Sequence, residues 1–136
     1  MTKPQQKTST CPTIVLVRPK EGEAPRLRGD MPDWNWVVAP EEWSGDVERL
    51  GGASPDGMVV YARKDEEDEA FDLCRRIRES ERLHGVPLLV AINMYQLFLG
   101  NKVRRLPRSH FIIVPVAKDS LEEKLAELGK PDREEG

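Results

Sequence analysis

Four short uncharged apolar runs constrain what this chain can fold into. They are Thr13–Val17 (TIVLV), Gly57–Tyr61 (GMVVY), 87–92 (PLLVAI) and 111–114 (FIIV). Each is β-branched or aliphatic at consecutive positions, so a strand made from it is buried on both faces. That is the condition of a parallel sheet covered by helices. A fifth segment, 34–39 (WNWVVA), is less uniformly apolar and suits an edge strand. The longest uncharged stretches, 86–92 and 111–117, are far too short to cross a bilayer.

Helical patterns lie between and after these runs. Over 66–83, Ala70, Leu73, Cys74 and Ile77 fall on one stripe, and Asp65, Glu66, Glu67 and Asp68 crowd the first turn, where the helix dipole favours acids. His84 and Gly85 are expected to stop this helix, with Pro87 beyond. Over 119–128, Asp119 or Ser120 is the expected N-cap, with Leu121, Leu125 and Leu128 inward and Gly129 as the stop. Segment 41–50 predicts a short helix with Trp43, Val47 and Leu50 inward. Segment 95–103 predicts another with Tyr95, Phe98, Leu99 and Val103 inward. Between the first two strands, Pro19, Gly22, Pro25, Gly29 and Pro32 argue against a full helix, so a loop or a single turn is expected there.

Strands alternating with helices imply right-handed βαβ units. The expected fold is α/β: a flavodoxin-like (βα)5 three-layer sandwich with parallel sheet order 2-1-3-4-5 and the first helix shortened or missing. The 136 residues make one domain, 13–128, between a flexible polar leader (1–12) and a flexible tail (129–136). Twenty-one basic against twenty-four acidic residues give a net charge of −3, which argues against nucleic-acid binding by bulk charge. Cys11 and Cys74 stand apart, and two Cys with two His build neither a disulfide framework nor a zinc site. The polar start lacks the apolar core of a secretory signal, so the expectation is a cytoplasmic protein without a membrane anchor.

The order of segments resembles a bacterial response-regulator receiver (CheY-like) domain. The resemblance rests on PDGMVVY at 55–61, FDLCRRIR at 71–78, VPLLVAIN at 86–93 and FIIVPVAKDSLEEKLAEL at 111–128. It implies that the ends of strands one, three, four and five form a phosphorylation pocket. In that alignment the two metal-binding acids fall on Arg18 and Pro19, and the phosphoacceptor aspartate falls on Tyr61. The strand-four hydroxyl falls at Ile92 or Asn93, and the lysine before the proline falls on Val114. Phosphoryl transfer to a carboxylate needs the carboxylate and a cation to neutralise the incoming oxygens. A guanidinium cannot ligate Mg²⁺. The chain therefore resembles a pseudo-receiver, with no catalytic residue, metal or cofactor expected.

Other constellations have a plain reading beside a functional one. Asp65 to Glu69 are a solvated helix start, preferred over a displaced metal site because successive acids on a helix diverge. Arg18 is either a surface arginine or an internal cation reaching Asp65 or Glu66. Tyr61 is an amphipathic plug, preferred over a phosphotyrosine acceptor. Lys102, Arg104, Arg105 and Arg108 form a basic cluster that is either solvated loop or a partner-binding site; without an aromatic stacking ladder it argues against sequence-specific DNA binding. Trp34, Trp36 and Trp43 either cover the sheet face that a short first helix leaves bare, or Trp34 and Trp36 form an alternative partner patch. The expected function is protein–protein interaction in bacterial signalling without phosphorylation. By resemblance the contact face, for a partner or a homodimer, is the fourth helix, fifth strand and fifth helix. The alternative is a small-molecule or nucleotide sensor using the crevice at the strand C-terminal ends.

Overall fold

Five parallel strands pair in the order β2-β1-β3-β4-β5, the expected arrangement. The computed structural model describes residues 12–43, 46–52 and 54–128. Along the chain run β1 (Thr13–Val17), α1 (Glu23–Asp30), β2 (Asn35–Val38), α2 (Val47–Gly52), β3 (Gly57–Tyr61), α3 (Glu67–Glu79), β4 (Leu88–Ile92), α4 (Leu97–Val103), β5 (Ser109–Ile113) and α5 (Lys118–Leu128). Single 3₁₀ turns at Glu41–Trp43 and Met94–Gln96 precede α2 and α4. The proposed leader and tail, with Cys11 and the Gly129 stop, lie outside the described residues apart from Pro12.

The two faces of the sheet carry separate cores. Val15, Val17, Met58, Val60, Leu88, Val90 and Ile92 pack with the inward stripes of α2, α3 and α4. Ile14, Leu16, Val59, Tyr61, Leu89 and Ala91 pack with Ala24 and Leu27 of α1 and Leu121 of α5. This two-sided burial is why β1, β3 and β4 read as unbroken apolar runs: every residue of β3 and β4 is buried.

Several boundaries differ from the expectations. The first helix is neither a loop nor a single turn: α1 has eight residues. Gly22 takes the left-handed N-cap (φ 87°), and Pro25 falls in the first turn, whose N–H groups have no intrahelical partner to lose. The breakers therefore sit in the end turns of the helix or beyond them, not in its middle. Helix α3 stops at Glu79, not at His84. The Ser80 hydroxyl accepts from the Arg82 and Leu83 N–H groups (3.2 and 3.4 Å), and Leu83 is fully buried from a turn. Helix α5 starts at Lys118, so neither Asp119 nor Ser120 is its N-cap. In the fourth helical segment Leu99 and Val103 are inward, but Tyr95 is 97% and Phe98 79% exposed. The 3₁₀ turn shifts the helical phase: Asn93 and Gln96 form a reciprocal capping box that turns Gln96 inward and Tyr95 outward.

Candidate functional site

The C-terminal ends of the parallel strands bring Arg18, Pro19, Tyr61, Asn93 and Val114 to one edge of the sheet, each just after or at the end of its strand. Their side chains do not converge on one centre; they enter three separate sets of contacts.

Arg18 follows β1 in the left-handed region (φ 58°). Its guanidinium lies 3.0 Å from the Glu66 carboxylate, immediately before α3, so the ion pair ties the end of β1 to the loop after β3. The Arg18 side chain is 18% exposed and that of Glu66 40%. Pro19 beside it is half-buried.

Tyr61, the last residue of β3, is 1% exposed and points into the α1/α5 core. Beside it lies a partly buried polar network, centred on Glu23, with no counterpart among the expected site residues. Glu23 of α1, 6% exposed, accepts from the Val116 N–H and from Arg26, both at 3.0 Å. Arg26 also donates to the Val116 carbonyl and, at 3.1 Å, to Asp30. The network fastens α1 to the loop between β5 and α5. Among the described residues the buried Tyr61 hydroxyl has no partner at hydrogen-bonding geometry, although the Glu23 carboxylate lies close by. Burial first, and then the nearby Glu23 carboxylate, push its phenol well above its usual range. The neutral phenol is enclosed in the core beneath α1.

Asn93 follows β4 and caps the 3₁₀ turn, accepting from the Tyr95 N–H at 2.8 Å. Gln96 in turn donates to Glu67 at 3.0 Å. That bond is the leading reason why the Glu67 carboxyl titrates below its usual range. Val114, half-buried against the α1/α5 core, precedes Pro115 across a cis peptide. Among the described residues no group of three or more His, Cys, Asp and Glu is placed to hold a metal ion, and no helix is long and apolar enough to cross a membrane.

The basic cluster divides. Lys102 turns toward α3, its ammonium 4.5 Å from the Phe71 ring centroid and 5.8 Å from that of Phe98. Arg104 and Arg105 are exposed beside Asn101. Arg108, half-buried, donates to the Leu128 carbonyl at the end of α5 at 3.1 Å. The aromatic alternative is corrected at Trp36, which is 6% exposed and donates its indole N–H to the Met31 carbonyl at 3.0 Å. Trp34, half-buried, stacks on it with ring centroids 5.5 Å apart. Trp36 is thus part of the core on the sheet face beside the short α1, and Trp34 packs at its margin.

No protein-family model matches the chain, and no curated protein does. Solved structures do. The N-terminal signal receiver domain of a two-component response regulator from Bacteroides fragilis superposes with a TM-score of 0.67 at 12% identity, covering 89% of this chain and 98% of that one. The signal receiver domain of a signal transduction histidine kinase from Syntrophus aciditrophicus gives 0.66 at 16% identity, over 88% and 90% of the two chains. A response regulator receiver protein from Sinorhizobium medicae gives 0.65 at 18% identity, over 87% and 94%. At these identities the likeness is one of architecture: the chain has the flavodoxin-like fold seen in receiver domains.

Proposed function

We propose that the chain is a receiver-like module that works through protein–protein contacts in signalling and does not take up phosphate. The observation that carries this reading is the Arg18–Glu66 ion pair at the end of β1, joined by a buried Tyr61 at the end of β3. A receiver's Mg²⁺ needs carboxylate oxygens at the first of these places, and phosphate needs a carboxylate at the second. Guanidinium, pyrrolidine, phenol, amide and isopropyl groups occupy the five positions, so the donor set does not suit the metal. The Arg18 cation instead neutralises Glu66 internally, which supports a pocket held in one state.

With the pocket locked, output depends on the surface. Arg104 and Arg105 are the part of the basic cluster available to an acidic partner, and they lie where the fourth helix leads into β5. Tyr61 fills its side of the strand ends, which supports the contact reading over the small-molecule alternative. Beryllium fluoride with Mg²⁺ tests the reading: no chemical-shift change at Tyr61 or Arg18 is expected, and a saturable change there would refute it.

A further inference from the structure

Among the described residues, Met94, Tyr95, Leu97 and Phe98 account for all the exposed large apolar side chains except Val38. They occupy one short stretch in which burial is inverted. The polar Gln96 is 6% exposed, held by the Asn93 N–H and by Glu67, while its apolar neighbours point to solvent. A concentration of exposed aromatic surface of this kind, fixed by a satisfied polar network, marks a docking surface.

The groove between α3 and α4 is lined by Tyr95, Phe98, Leu99 and Lys102 on one side and by Glu67 and Asp68 on the other. Its chemistry selects among occupants. Asp68 is exposed and forms no ion pair among the described residues. Lys102 already rests its ammonium against the Phe71 and Phe98 rings, so the aromatic wall accommodates a cation. An acidic segment entering here meets two carboxylates against the single Lys102 ammonium, which is already placed over the Phe71 and Phe98 rings. An arginine-bearing segment meets carboxylates and ring faces together, the combination that guanidinium recognition uses.

We propose that this groove docks a peptide segment of a protein partner that carries an arginine next to a large apolar side chain. The apolar side chain covers Phe98, and the guanidinium stacks on Tyr95 and pairs with Asp68. The inference rests on the reading of the chain as an interaction module and assigns a contact separate from Arg104 and Arg105.

The test uses the full chain, isotope-labelled, titrated with two short helical peptides that share one leucine-rich face and differ only in carrying arginine or glutamate. The arginine peptide is expected to give saturable amide shifts at Asp68, Tyr95 and Phe98. Asp68→Lys and Tyr95→Ser are each expected to weaken it about fivefold or more with the rest of the spectrum unchanged. Both positions are exposed, so the variants keep the fold. Equal binding of the glutamate peptide overturns the proposal. So do shifts confined to Arg104 and Arg105, no binding up to about 1 mM peptide, or self-association of the free chain through the same residues. The mass of the same sample after treatment with acetyl phosphate reads the functional proposal separately: covalent phosphate would overturn that reading and leave the peptide result standing.

Discussion

The Arg18 guanidinium and the Glu66 carboxylate meet at 3.0 Å across two strand-end loops separated by 48 positions in the chain. The pair is partly buried, with Arg18 the more enclosed of the two. A fully exposed pair contributes about 0–1 kcal/mol, and enclosure of the arginine raises the cost of leaving it unpaired.

Arg18→Ala is therefore expected to lower stability by about 1–2 kcal/mol. Urea denaturation of Arg18→Ala, Glu66→Ala and the double variant checks it. A loss below about 0.5 kcal/mol, or no coupling between the two sites, would show that Arg18 behaves as an ordinary surface residue.

Tyr61 gives a prediction of opposite sign. Its buried hydroxyl has no hydrogen-bonding partner among the described residues, and an unsatisfied polar atom of this kind costs about 1–3 kcal/mol. Tyr61→Phe is expected to be neutral or stabilising, whereas Tyr61→Ala is expected to cost about 3–5 kcal/mol by leaving a cavity. Destabilisation by Tyr61→Phe of more than about 1 kcal/mol would mean that Glu23 holds the hydroxyl in a productive bond.

Cys74 lies in the α3 stripe, fully buried, and burial pushes its thiol up to about 12. In a Cys11→Ser background, Cys74 is expected to resist a thiol reagent at neutral pH in the folded protein and to react at once in denaturant. Stoichiometric labelling of the native protein within minutes would contradict the packing of α3 described above.

His110 supplies a pH dependence. Burial, reinforced by the positive charges of Lys124 and Arg104, holds its imidazole below the usual range. The unfolded chain then takes the proton first as pH falls. Stability is lost from about pH 6.5 downward, and the loss is complete below the folded value. The difference in stability between about pH 7.5 and pH 5.5 should shrink in His110→Gln; an unchanged difference excludes the histidine as its source.

Strands β1 and β3 were legible because both-sided burial leaves no room for polar residues: Thr13–Val17 and Gly57–Tyr61 appear in the structure with the bounds read from the sequence, whereas the half-buried β5 starts at Ser109 rather than at 111. Helix α1 was hidden because Gly22, Pro25 and Gly29 are helix breakers in the interior of a helix but tolerated at its ends. The outward turn of Tyr95 and Phe98 was hidden for another reason. Their spacing to Leu99 and Val103 fits one helical stripe, and only the Asn93–Gln96 capping box resets the phase. The Glu23–Arg26 network left one faint signal, an acid and a base three residues apart. Its third member, the Val116 backbone, is 93 positions from Glu23 and is placed only by the fold.

The central claim is that a receiver fold here operates without phosphate. The measurement that tests it most directly is the intact mass of the chain after incubation with acetyl phosphate and Mg²⁺ at neutral pH, with a phosphorylatable receiver treated in parallel. An unchanged mass is expected for this chain while the control gains one phosphoryl group. A stoichiometric, acid-labile phosphoryl group on any aspartate of this chain would contradict it.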